Sequence, residues 1–339
     1  MSRSPSGRDW TWRRRYSLLT VLTTAVLISW GGFVTSIEAG MAFPDWPTSL
    51  GSYNLINPVD RWWAVTPYLA EHGHRLIAAF VGFLTIGLAG WTWWSDPRSW
   101  MRKLGFAALG LVIVQGVLGG LRVVWISVDL AMVHACAAQL FFATLVAMWF
   151  FTTDTWRNRR GLFAASPEAS RFRTVATAAT ALIYIQIVVG AFLRQHGRGI
   201  DEWAAAMHVT GAFLATGLVI TVFVLAQKYF DDNDVVRRAS WVLLGTVSVQ
   251  FALGLSAFIV MLYEAPQGIR STLQVLLTVG HLVGGSVLLG SSVVTTLLAR
   301  RPAVEALSDD QPGEPVRPAS DGASTAREPA ISGHRESVR

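Results

Sequence analysis

An all-helical integral membrane fold, built as two tandem four-helix bundles, is what this sequence predicts, and three observations predict it. Eight stretches of 18 or more residues carry no formal charge: 16–37, 76–95, 104–121, 130–153, 174–193, 203–227, 239–263 and 271–299. The chain is 52% apolar and 15% charged, whereas soluble domains carry about 25% charged residues. Similar residues also recur at matching places in its two halves. About 20 apolar residues, rising about 1.5 Å each, cross a 30 Å hydrocarbon core, so each stretch suffices for one spanning helix. Strands of a membrane barrel need only about 10 alternating residues each, and these runs are far too long for that.

The first segment follows Arg13-Arg14-Arg15 within an amino-terminal stretch, 1–16. Basic residues before an apolar run can mark a secretion or twin-arginine signal, but no small-residue cleavage pattern follows, and the segment carries repeat residues of its own. An Arg- and Ser-rich start could also suggest an organellar transit peptide, but spanning sequence begins by about Ser17. A bacterial plasma membrane is the expected location. The loop after this segment, about 38–70, is the longest between helices and contains Pro44-Asp45-Trp46-Pro47. Loops of that length are usually functional or disordered, and the Trp and Pro content predicts a folded cap at the membrane interface.

The second segment opens with Glu71-His72-Gly73-His74-Arg75. Residues three apart share a helix face, so Glu71 lies beside His74, while His72 points roughly the opposite way. A carboxylate there could orient the imidazole or move protons at a bound substrate; a plain polar helix entrance is the alternative. The third segment reads Val112-Ile-Val-Gln115-Gly-Val-Leu118-Gly119 and the seventh Val247-Ser-Val-Gln250-Phe-Ala-Leu253-Gly254, an offset of 135. The second and sixth align through His74 and His208, the fourth and eighth through His134 and His281. The first and fifth match more weakly, through Gly31-Gly-Phe33 and Gly190-Ala-Phe192. Matching helices therefore share orientation in a tandem duplication, with an amino-terminal unit at 17–153, a linker at 154–172 and a carboxy-terminal unit at 173–299. The tail, 300–339, is rich in Pro, Ser and charge and is expected to be disordered.

Of the 28 Lys and Arg residues, 22 fall in the amino-terminal stretch, the even-numbered loops and the tail. By the positive-inside rule both termini are cytoplasmic, or in the matrix of an organelle. The basic balance then needs no nucleic-acid partner, and anionic lipid headgroups suffice. Even-numbered helices run inward on this topology, which places His74, His134, His208 and His281 in the outer half of the membrane. Coordinating groups there are costly and mark a functional site. Two inward histidines per four-helix unit suit the iron of a six-coordinate haem. Zinc or copper would more often add carboxylate or sulfur ligands. Ala137 and Ala138 after His134, and Gly284 and Gly285 after His281, leave room beside the ring for a flat macrocycle, or for close helix packing. Arg75, Arg122 and Arg194 lie at the depth of the histidines and could pair with haem propionates, or simply snorkel to the interface. The lone cysteine, Cys136, builds no disulfide or iron-sulfur site within one chain and reads as a small buried hydrophobe. His196 and His334, in a polar loop and the tail, are not favoured ligands.

These motifs together resemble the haem A synthase family of bacteria and mitochondria. The resemblance rests on Gly31-Gly-Phe-Val-Thr35, on Ala39-Gly40-Met41-Ala42 followed by Pro44-Asp45-Trp46-Pro47, on Glu71-x-x-His74-Arg75 and on the three later histidines in order, and it runs from about Ser17 to Ala299. It implies a membrane oxidoreductase that oxidises the C8 methyl of haem O to a formyl group by successive hydroxylations, giving haem A for terminal oxidases. His208 and His281 would then be the axial ligands of a resident haem b cofactor, and His74 and His134 would face the substrate haem. Glu71 would be the catalytic glutamate, in proton transfer or substrate positioning. A haem O synthase (protohaem farnesyltransferase), the terminal oxidase assembly pathway and a redox partner follow as implied partners. In this chain Phe43 and Ser49 stand in the neighbourhood where many bacterial members carry a cysteine pair, so the chain resembles the cysteine-free type and no mechanism through loop thiols applies. Ile37-Glu38 also replaces the usual Thr-Gly. Two other classes compete: a non-enzymatic bis-histidine dihaem electron carrier of the cytochrome b kind, and a haem-handling protein.

Overall fold

A computed structural model describes residues 7–54, 56–57, 62–158, 166–196, 202–264 and 270–301. Residues 302–339 of the expected tail, His334 among them, and 159–165 of the linker lie outside the described residues. Eight long helices form: α1 Gly7–Ser36, α2 Thr66–Ser95, α3 Ser99–Val124, α4 Val128–Phe150, α6 Pro167–His196, α7 Glu202–Tyr229, α8 Asp234–Glu264 and α9 Thr272–Arg300, with a short α5 at Asp154–Asn158. All eight are long and apolar enough to cross a membrane. Their hydroxyls turn inward on the backbone, as in Thr20 donating to the Tyr16 carbonyl, Thr24 to that of Thr20 and Thr85 to that of Val81. This keeps polar side chains satisfied where no water is at hand. Large apolar residues such as Phe83, Ile113, Phe213 and Val249 face outward, as lipid contact requires.

Helices α1 to α4 close one ring, in which α1 meets both α2 and α4 and α3 bridges the other two; α6 to α9 close a second in the same order. The rings join through α1 on α9, α4 on α6 and α4 on α9. Under the repeat, α1 corresponds to α6 and α4 to α9, so the first two contacts are equivalents of one another. The third joins equivalent helices, which is the pattern of a pseudo-twofold relation between the halves.

Each ring has its own core, displaced along the helices. In the first it includes Val81, Leu88, Met101, Phe141, Leu145 and Met148; in the second, Phe172, Ile183, Val219, Val222, Leu243 and Leu289. Most of these residues lie toward the ends of the helices that carry the Arg-rich segments. Tight packing therefore fills that part of each ring and leaves the opposite end to other residues.

The Arg-rich end is closed by charge. Asp96, just after α2, has no exposed side-chain surface and pairs with Arg13 of α1 and, at 2.8 Å, with Arg98. Trp10 stacks beneath Arg13, Arg98 and Arg157, the last at 3.9 Å from the ring centroid. Burial opposes ionisation of the Asp96 carboxyl, but hydrogen bonds from Arg98 and Arg13 outweigh it and hold the group below the usual carboxylate range. Its contribution is thus present at neutral pH and lost as pH falls through that depressed value. Removing one partner of a buried pair costs about 3–5 kcal/mol, because the other charge is left uncompensated. Asp96→Asn should lower the thermal midpoint of the detergent-solubilised protein markedly at pH 7, and the gap to the parent should narrow in acid. An unchanged midpoint at pH 7 would rule out this role.

Candidate functional site

At the other end, all four histidines abut a glycine of the preceding helix. A Cβ built on Gly31 would lie 2.9 Å from His74 Cε1, on Gly119 3.2 Å from His134 Cε1, on Gly190 3.0 Å from His208 Cε1, and on Gly254 2.7 Å from His281 Cε1. These are the glycines of the repeat, and their lack of a side chain lets each imidazole approach its neighbour helix closely through Cε1. Gly254→Ala should therefore displace the His281 ring; if that ring is an axial ligand, haem retained through purification should fall by roughly tenfold, the lower range for disturbed ligand support. Undiminished haem would count against tight seating of this ligand.

In the second half His208 and His281 face each other, with ring centroids 6.1 Å apart and planes at 83°. A metal–imidazole bond of about 2 Å places a ring centroid roughly 3 Å from the metal, so two axial imidazoles stand roughly 6 Å apart, centroid to centroid. The pair thus fits the two axial positions of a haem iron. His281 Nδ1 lies 3.2 Å from the Gln250 carbonyl, the kind of outer contact that fixes which ring nitrogen is free to bind a metal. Among the described residues, no cluster of three or more His, Cys, Asp or Glu side chains could hold a metal ion. Cys136 is half-buried, and its carbonyl accepts a hydrogen bond from Tyr184.

The first half differs. His74 and His134 are neighbours, with Arg122 and Arg75 nearby, but no ring-to-ring contact joins them among the described residues. Above them the long loop is folded. Phe43 is fully buried, its ring 5.1 Å from Tyr68 and 5.6 Å from His72, which also meets Trp62 at 5.2 Å. Asp45 accepts from Thr48 and from the backbone N–H groups of Leu50 and Gly51. Burial raises its carboxyl, but these bonds hold it below the usual range. Trp46 fills the space over Gly120 of α3.

Glu71 ties this cap to α2. It is buried; its Oε2 accepts from the Phe43 N–H at 3.0 Å and its Oε1 from Arg75 at 2.8 Å. Arg75 in turn donates to the carbonyls of Asp45 and Thr48, both at 3.0 Å. The structure thus engages Arg75 with the cap and with Glu71. Arg122 donates to the Gly40 carbonyl, also tying cap to α3, and Arg194 crosses from α6 to the Gly32 carbonyl and Ser36 hydroxyl of α1. His196 pairs with Asp129 at 2.9 Å and stacks on Phe192, apart from the four-histidine set. Sequence reasoning missed the abutting glycines and the cap anchors. The signal for the first was present, since the repeat glycines sit four residues after Gln115, Gln186 and Gln250.

The family model described as cytochrome oxidase assembly protein (COX15-CtaA) matches residues 14–204, more than half of the chain. The chain belongs to that family. The match takes in His74, His134, Glu71 and the whole cap, while His208 and His281 lie beyond its last residue. Among curated relatives, the chain is similar to a heme A synthase of Symbiobacterium thermophilum, 26% identical over 264 residues that cover 71% of this chain and 84% of that protein. It is similar also to a heme A synthase of Shouchella clausii, 23% identical over 276 residues covering 74% and 88%. A third, from Exiguobacterium sibiricum, is 28% identical over 187 residues, covering 54% of this chain and 59% of that protein. Family membership and the eight long apolar helices together make this a multi-pass membrane protein of a family that includes haem A synthases, which are oxidoreductases.

Proposed function

We propose that this protein is a haem A synthase of a bacterial plasma membrane, with both termini on the cytoplasmic side, oxidising the C8 methyl of haem O to a formyl group by successive hydroxylations. The observation that carries the reading is the asymmetry of two otherwise matched halves. One holds a facing imidazole pair at axial spacing; the other holds its histidines beneath a folded cap anchored by a buried glutamate. The position of Glu71 is taken by Ala205 in the second half.

In this reading His208 and His281 hold a resident haem b, which when bound supplies one-electron redox chemistry. His74 and His134 orient the substrate haem. The cap limits water over it, and Arg122 and Arg194 supply positive charge at the depth of the histidines. Glu71 holds or moves a proton at its carboxylate oxygens as the substrate methyl is oxidised. The partners are haem O, the haem O synthase that makes it, a redox partner and the assembly of terminal oxidases, which receive the product.

Coexpression with a haem O synthase is expected to yield haem A in acid-acetone extracts of the membranes. Folded, haem-loaded protein that yields none would sink this reading and leave a dihaem electron carrier, which keeps both macrocycles chemically unchanged.

A further inference from the structure

A glutamine of the preceding helix stands beside three of the four histidine helices, with its amide within hydrogen-bond reach of the histidine in two of them, and the fourth has none. On α3 the Gln115 amide, oriented by its neighbours, donates to His134 Nδ1 and to the His134 carbonyl, each at 3.2 Å, and accepts from the Ala138 N–H at 3.0 Å. On α8 the Gln250 Nε2 lies 3.4 Å from His281 Nε2, and its side chain fills the space over Gly284. On α6 the Gln186 amide fills the space over Gly211 of α7, three residues after His208. There Gln186 Oε1 and His208 Nδ1 are both buried without a partner, so this clasp is in place but not closed. Each clasp combines a glutamine four residues before the abutting glycine with a small residue three or four after the histidine.

The first pair of helices lacks the glutamine, although a small residue, Ala78, does stand four after His74. Four residues before Gly31 stands Leu27, and three after His74 stands Ile77. Leu27 packs with the apolar core of the first half, and His74 Nδ1 is buried with no hydrogen-bond partner. An imidazole whose carrier helix is hydrogen-bonded beside the ring by a neighbouring helix is held in orientation. On the α1 side His74 has the glycine behind it, and its helix is held one turn away by Trp30 Nε1, which donates to the Ala70 carbonyl at 2.8 Å; its own ring has no such partner. The missing glutamine falls in the half whose two rings make no direct contact among the described residues.

Resting on the two-haem reading above, we propose that His74 is the exchangeable axial position of the amino-terminal half, and that the haem there is anchored through His134. The half-site is then open on the His74 side, beneath the cap and beside Glu71, and closed on the other.

The test uses the full-length protein loaded with haem in both halves, reduced, and titrated with carbon monoxide, which binds a ferrous haem only where an axial ligand gives way. One of the two haems is expected to bind it. Leu27→Gln combined with Ile77→Ala supplies the first pair with a glutamine and, beside Ala78, a second small residue, as in α3 and α4, and should weaken that binding by roughly 10–100-fold, the range for gain or loss of outer support at a ligand. Independently, His134→Ala should lose the first-half haem and His74→Ala should retain it, with the second-half haem spectrum reporting that each variant is folded. Equal loss from the two histidine variants, or carbon monoxide affinity unmoved by the Leu27/Ile77 change, overturns the assignment while leaving the two-haem reading intact. A first half that takes up no haem at all in the parent protein overturns both.

Discussion

His281→Ala is expected to leave the purified protein without the haem b proposed for its second half, with His208→Ala behaving alike. The two rings stand 6.1 Å apart at 83°, and loss of either leaves one face of the iron without a protein ligand. Disturbing an outer partner of a metal ligand already costs about 10–100-fold in affinity, and loss of the ligand itself should exceed that. The measurement is the haem-to-protein ratio and the reduced-minus-oxidised spectrum after purification. First-half variants provide the contrast: His74→Ala should leave the second-half spectrum in place, because the two pairs sit in separate four-helix rings. Undiminished haem b in either second-half variant would refute the ligand assignment.

The second large effect concerns Glu71. Glu71→Ala should preserve the second-half haem while lowering haem A formation by about a hundredfold or more, within the range for loss of a positioned acid or base. Two functions are combined in this side chain, since its oxygens also anchor the cap through Phe43 and Arg75. Glu71→Gln separates them. The amide oxygen still accepts a hydrogen bond from one of those groups, but the charge and the titratable proton are gone. Haem A formation as low as in Glu71→Ala identifies the charge or proton as the essential property. Near-parental formation would instead reduce Glu71 to a cap anchor. Equal haem loss in the second half from Glu71→Ala would contradict the division of labour between the halves.

Much of this architecture is legible in the chain itself, for physical reasons that act locally. Charge-free runs of the length of a bilayer leave the backbone no alternative to helices, and the structure forms eight of them. Spacing alone put Glu71 on the His74 face. The content of the loop after α1 pointed to a folded cap, and Phe43, Asp45 and Trp46 form one. The repeat of Gln115 to Gly119 in Gln250 to Gly254 was visible as a duplication, but its purpose was not, because a contact between helices depends on which faces meet. Arg75 shows the same limit. Its charge and depth suggest an anion partner, whereas its carbonyl neighbours come from a loop 27–32 residues away in sequence.

The sequence by itself determined the helices, their number, the tandem repeat and the four histidines, since length, hydropathy and periodicity are properties of single segments. Only the tertiary structure decided how those histidines differ. Helix packing seats each ring on a glycine, brings the His208 and His281 rings to 6.1 Å at nearly a right angle, places a glutamine beside three of the four carrier helices, and folds a buried Glu71–Arg75 pair under the cap. Those relations depend on distances between segments remote in the chain. The symmetry of the halves is therefore written in the repeat, and their asymmetry in the contacts.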